Sequence, residues 1–271
     1  MSVDILSLWD FGQPAESEQR FREALTTATP DEALILQTQI ARSYGLRRDF
    51  VKATEILAEL HPQLVGASAE ANVRYYLELG RTLCSPIHPR ESQTEEVKTK
   101  AGAAYTDAFN LAQASGLDYL AVDALHMMAM VVSDPEAQLQ WDLKALEYME
   151  ASAGPEAKKW EGSLRHNIGY ALHLQGRYAE ALDQFEQALA FREAAANQAQ
   201  IRVAHWMIAW TLRAMGRLDE ALVIQLRLEQ EWLSNAQPAP YVFEELEHLY
   251  RALGNSERAD HYAAMRALAS S

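Results

Sequence analysis

The chain has 271 residues, 49% apolar and 23% charged, a composition that excludes a disordered protein and fits an ordinary folded one. A formal net charge of −14 disfavours nucleic acid and anionic membrane as partners and leaves basic or apolar ones. The single cysteine, Cys84, excludes an internal disulfide, and the most apolar run, Leu125 to Val132, is too short to cross a membrane.

The first segment, MSVDILSLWDF, has neither a basic region nor a long apolar core, so the expectation is a soluble cytoplasmic protein. Ile5, Leu6, Leu8 and Trp9 form a short apolar patch. Gly12-Gln13-Pro14 breaks it, Phe21, Ala24 and Leu25 face one way, and Pro30 is expected to close the unit. Leu34, Ile40, Ala41 and Tyr44 then predict a helix that turns over Gly45 to Asp49. Phe50, Ala53, Leu57 and Leu60 predict its partner, which ends at His61-Pro62. From near Ser68, Val73, Tyr76, Leu77, Gly80 and Leu83 mark another helix. Pro86 and Pro89 interrupt the following 84–97 segment, and the pattern resumes by about Lys98 with Ala101, Tyr105, Ala108 and Leu111. That inserted segment is either a lid over one edge or a tolerated insertion.

Tyr119, Val122, Leu125 and Ala129 predict the next helix, and Ser133-Asp134-Pro135-Glu136 is a turn and helix-start signal before Leu139, Ala145 and Met149. The clearest pattern follows. Leu164, Ile168, Gly169 and Leu172 lie on one helix; Ala181, Leu182, Phe185, Ala188 and Leu189 lie on a second; Gly176 separates them. Small Gly169 and Ala181 allow close approach, while Tyr178 and Phe185 fill the space beside them. Ala209, Leu212, Gly216, Leu218, Ala221 and Leu228 repeat the pattern, with Gly216 40 residues after Gly176. After Asn235 to Pro240, Phe243, Leu246, Leu249, Tyr250, Gly254, Ala259, Tyr262 and Leu268 form a closing unit.

Gly169, Gly176, Tyr178, Ala181, Phe185 and Ala188 resemble the tetratricopeptide repeat. Arg165 stands where that family usually has Trp, Glu193 where it has a late Pro, and Arg48 where an earlier unit would have its turn Gly. The resemblance implies an all-α fold: a right-handed superhelix, or solenoid, of antiparallel helical hairpins. It is expected to form one domain over 1–271, with units at 1–30, 31–66, 68–115 (including the 84–97 insertion), 116–154, 160–196, 198–235 and 239–271.

In that family the first helix of each hairpin lines a concave groove. His166, Tyr170 and His173 share one helical face, and Trp206, Trp210 and Arg213 stand at the same offsets 40 residues later. His126 belongs to the preceding first helix; Gln37, Arg42, Arg74 and Glu78 are the corresponding candidates earlier. The aromatics suit interface anchors, with Arg213, His166 and His173 pairing with polar or acidic groups of a ligand. Burial of the aromatics between repeats is the alternative. No phosphate loop, dinucleotide fingerprint, nucleophile elbow or zinc-protease motif occurs, so no enzyme activity, cofactor or metal is expected. The expected function is that of an adaptor for a protein or peptide segment, basic or apolar. A self-assembling homodimer, or a sensor of peptides or small molecules, is the other reading.

Overall fold

The computed structural model describes residues 3–234 and 239–269. Every regular element among them is helical. In chain order these are α1 (Ile5–Leu8), α2 (Pro14–Leu25), α3 (Pro30–Leu46), α4 (Phe50–Leu60), α5 (Ala69–Leu83), α6 (Glu95–Ala114), α7 (Asp118–Val131), α8 (Pro135–Ala151), α9 (Glu161–Leu174), α10 (Tyr178–Ala194), α11 (Gln198–Ala214), α12 (Leu218–Ser234), α13 (Pro240–Ala252) and α14 (Ser256–Ala269). Short 3-10 turns occupy His61–Gln63, Arg90–Ser92 and Ala157–Trp160. The chain divides into two compact units, one ending at Trp160 and one beginning at Glu161.

In the N-terminal unit α3 packs on α4 and α5, α5 on α6, α6 on α7, and α7 on α8 and the 157–160 turn. Side-chain caps decide where these helices begin. Thr29 and Glu32 form a reciprocal capping box, which places Pro30 at the first position of α3. Pro30 therefore opens this helix rather than closing the previous unit, because its missing N–H has no partner to lose there. Thr94 caps α6 through the Val97 N–H and starts that helix at Glu95, ahead of the expected Lys98. Gly12 lies in the turn that separates α1 from α2, and Pro14 opens α2, as the breaker predicts.

Two hairpins, α5–α6 and α9–α10, are held by a ring seated on a glycine. A Cβ on Gly80 would collide with the Tyr105 ring, whose hydroxyl donates to the Cys84 carbonyl at 3.1 Å. In the C-terminal unit, where α9 to α14 pack in sequence, a Cβ on Gly169 would sit 2.7 Å from the Phe185 ring. Both rings are fully buried. Ala209 and Gln225 take the corresponding places on α11 and α12. Gln225 is also fully buried, and neither of its amide atoms has a hydrogen-bond partner among the described residues.

Six of the turns close identically. An N–H reaches back to the carbonyl five residues earlier in Asp49–Tyr44, Leu117–Ala112, Arg177–Leu172, Asn197–Arg192, Arg217–Leu212 and Asn255–Tyr250, at 2.9 to 3.1 Å. This closure needs a left-handed residue just before the donor. Glycine supplies it at 116, 176, 216 and 254, but Arg48 (φ 65°) and Ala196 (φ 53°) supply it at the other two turns.

Replacing Arg48 or Ala196 by Gly is expected to stabilise the protein by about 0.5–1 kcal/mol each, the relief of left-handed strain exceeding glycine's extra unfolded-state entropy. A rise in the urea midpoint at constant slope would show it. Gln225→Leu removes two unpaired buried polar atoms and should add about 1–3 kcal/mol in the same assay. A lowered midpoint would mean that the amide has partners this packing does not provide.

Candidate functional site

Within the C-terminal unit, α9 and α11 bring four of the expected residues together. The Trp210 ring stacks on His173 at 3.3 Å between centroids, on Trp206 at 5.8 Å and on Tyr170 at 6.0 Å. Helical spacing is the local cause: 170 and 173, like 206 and 210, project from one side of their helices. Tyr170 is 47% exposed and Trp206 and Trp210 are partly exposed. Trp206 Nε1 donates to the Tyr241 carbonyl at 3.2 Å, which attaches the start of α13 to the group. The Tyr241 ring is itself 71% exposed.

Two of the basic residues, His173 and Arg213, have protein partners. His173 is only 7% exposed. The Thr211 hydroxyl donates to the Met207 carbonyl at 2.8 Å, so at 3.0 Å it accepts from His173 Nδ1, which carries the proton. His173 thereby fixes the plane on which Trp210 rests. Arg213 makes a two-pronged ion pair with buried Glu245, through Nε at 2.7 Å and Nη2 at 2.9 Å. His166 turns toward Phe185, 5.9 Å away, and its buried Nδ1 has no hydrogen-bond partner among the described residues. Burial first, and then the Arg192 charge, pushes its pKa down to about 4. Burial and then Arg213 do the same to His173, also to about 4. Both imidazoles are therefore neutral near pH 7.

His126 belongs to the N-terminal unit. It lies among α7, α8 and the 157–160 turn, 3.8 Å from the buried Asp142 carboxylate and 5.2 Å from the Trp160 ring. In the same unit the earlier candidates Arg42 and Glu78 enter an ion network. Arg81 pairs with Glu78 at 2.5 Å and with Asp123, and Arg42 approaches Glu78 at 3.7 Å. Burial alone would raise the Asp123 carboxyl, but Arg81 and Arg42 hold it below the usual range. Arg74 pairs with Glu70 on its own helix. The sequence reading missed Arg81, Asp123, Tyr241 and Glu245. Only Arg81, three residues after Glu78, had a local signal.

Among the described residues no group of three or more His, Cys, Asp or Glu could hold a metal ion, and no helix is long and apolar enough to cross a membrane. The aromatic face offers ring surface and little net charge, which suits packing against apolar or amide groups.

Residues 160–227, which supply Tyr170, Trp206 and Trp210, match the family model of the tetratricopeptide repeat. The chain therefore carries tetratricopeptide repeats at 160–227, within a tetratricopeptide-like helical-repeat fold. No curated protein matches its sequence. Among solved structures the repeat protein is similar to a signal-transduction ATPase with numerous domains, carrying a tetratricopeptide repeat sensor, from Pyrococcus horikoshii (TM-score 0.70, 14% identity, 95% of this chain and 39% of that one). It is also similar to the apo form of RapI (0.70, 14%, 98% and 73%) and to aspartyl phosphate phosphatase F from Bacillus subtilis (0.62, 13%, 96% and 67%). The repeat protein thus spans about two fifths of the length of the Pyrococcus chain. At such identities the likeness establishes the fold.

The two histidines make stability pH-dependent. Their folded pKa values lie below the unfolded value of 6.5, so the unfolded chain binds more protons below that pH. Their contribution is complete above pH 6.5 and is lost as pH falls toward about 4. Urea midpoints should therefore drop from about pH 7 to pH 5, and His173→Gln should show a smaller drop than the parent protein. An equal drop in both would remove His173 from this account.

Proposed function

We propose that the protein is a non-catalytic binding module that holds an extended peptide or a segment of a partner protein on the aromatic face of its C-terminal unit. The stacked group Tyr170, Trp210 and Trp206, with exposed Tyr241 beside it, carries this reading. Rigid aromatic side chains lose little conformational entropy on binding and dominate well-packed interface centres. Here the His173–Thr211 hydrogen bond and the Trp206–Tyr241 hydrogen bond order the rings before any partner arrives. Arg213 is neutralised by Glu245, so the face does not select an acidic ligand. The net charge of −14 favours segments whose apolar anchors are flanked by Lys or Arg. An adaptor working in the cytoplasm is the role that fits these properties.

Selection from a displayed peptide library tests the proposal. Enriched peptides should carry an aromatic or aliphatic anchor with basic flanks. The doubly substituted Trp206→Ala, Trp210→Ala protein, shown to be folded by circular dichroism, should bind them about 100-fold more weakly. Unchanged binding by that variant would overturn the aromatic face as the site. A concentration-dependent dimer that the same variant abolishes would assign the face to a second copy of the chain.

A further inference from the structure

The aromatic face of the C-terminal unit is uneven in its hydrogen-bonding groups. The hydroxyls of Tyr170 and Tyr241 and the indole N–H of partly exposed Trp210 have no hydrogen-bond partner among the described residues. Tyr170 and Tyr241 are both well exposed. An indole N–H can only donate, and a phenol hydroxyl donates as well.

Neighbouring acceptors are already engaged. The Tyr241 carbonyl accepts from Trp206 Nε1 at 3.2 Å, and the Met207 carbonyl accepts from the Thr211 hydroxyl at 2.8 Å. Both oxygens of buried Glu245 hold Arg213, at 2.7 and 2.9 Å. The face thus presents ring surface and free donors. The matching backbone has unpaired carbonyls and few N–H groups.

Regular peptide conformations differ in this respect. An α-helix bonds its carbonyls internally and offers this face only side chains. A β-strand carries an N–H for each carbonyl and pairs with a strand edge, whereas every regular element among the described residues is helical. A polyproline II helix leaves all its carbonyls free, and each proline lacks the N–H that would need an acceptor. Its pyrrolidine rings also dock on aromatic-lined surfaces.

We propose that the aromatic face binds a proline-rich segment in the polyproline II conformation. Its carbonyls accept from Trp210 Nε1–H and from the Tyr170 and Tyr241 hydroxyls, while its pyrrolidine rings rest on Tyr170, Trp206 and Trp210. This rests on the peptide-binding reading above and names its ligand. Lys or Arg flanks complement the net charge of −14. A polyproline II helix is formed before it docks, and the His173–Thr211 and Trp206–Tyr241 hydrogen bonds already hold the rings, so little freedom is lost on either side.

Calorimetric titration of the full chain with three synthetic peptides of equal length tests this. Each carries a Lys pair at both ends, around a core of proline, a helix-forming core of Ala and Leu, or a strand-forming core of Val and Thr. The proline peptide should bind at least about tenfold more tightly than either of the others. Tyr170→Phe, Tyr241→Phe keeps both rings and removes both hydroxyls, and should weaken the proline peptide about tenfold. Equal or weaker binding of the proline peptide relative to another core would overturn the proposal, as would an affinity that the double Phe variant leaves unchanged. If library-selected peptides bind and Trp206→Ala, Trp210→Ala abolishes their binding while the proline peptide does not bind, this inference fails and the peptide site stands. If neither kind of peptide binds, both fail.

Discussion

A ring lying on a glycine sets how closely the two helices of a hairpin approach. Phe185 on Gly169 and Tyr105 on Gly80 leave no room for a Cβ, and dense contact of this kind is where packing stabilises most. The stripe of α9 that holds Ile168, Gly169 and Leu172 is thereby committed to its neighbours. Tyr170, one residue past the glycine, is rotated away from that stripe and stays half exposed. The aromatic face is thus a geometric consequence of the contact that closes the hairpin. Where the ring is missing, at Gln225 opposite Ala209, the repeat keeps the spacing but buries an unpaired amide.

Ion pairing complements this division. In each unit one arginine is matched to buried carboxylates: Arg213 to Glu245 in one, Arg81 to Glu78 and Asp123 in the other. A carboxylate in such surroundings is tolerable only when paired. Those charges are consequently turned inward, and the partly exposed rings of Tyr170, Trp206 and Trp210 remain on that face of the C-terminal unit. The N-terminal network differs in being incompletely satisfied at Glu78 Oε2 and Arg42 Nε.

Much of the hairpin pattern was legible because it is local. The left-handed turn, the small residue and the ring recur at offsets that one helix or one turn determines, and they could be read at Gly169, Gly176 and Phe185 without knowing any neighbour. Even Arg48 was identifiable as a residue in a glycine's place, and its φ of 65° shows what that substitution demands of the backbone. The start of α3 was misjudged at Pro30 because a proline both ends and begins helices. The Thr29–Glu32 box that decides between these is a side-chain contact.

The candidate site was legible to the same depth. Spacing placed Tyr170, His173, Trp206 and Trp210 on matching faces, and their rings do meet. Spacing specifies an angle around one helix axis and says nothing of what the next helix lays over it. That is why His173 and Arg213 looked available, although Thr211 lies 38 residues and Glu245 32 residues beyond them in the chain. By itself, then, the sequence determined the helices, their turns and the faces on which the aromatic residues stand, since each follows from interactions within a few residues. Tertiary structure alone decided which of those side chains remain exposed and which charges are neutralised, because burial and pairing depend on atoms brought together from distant helices.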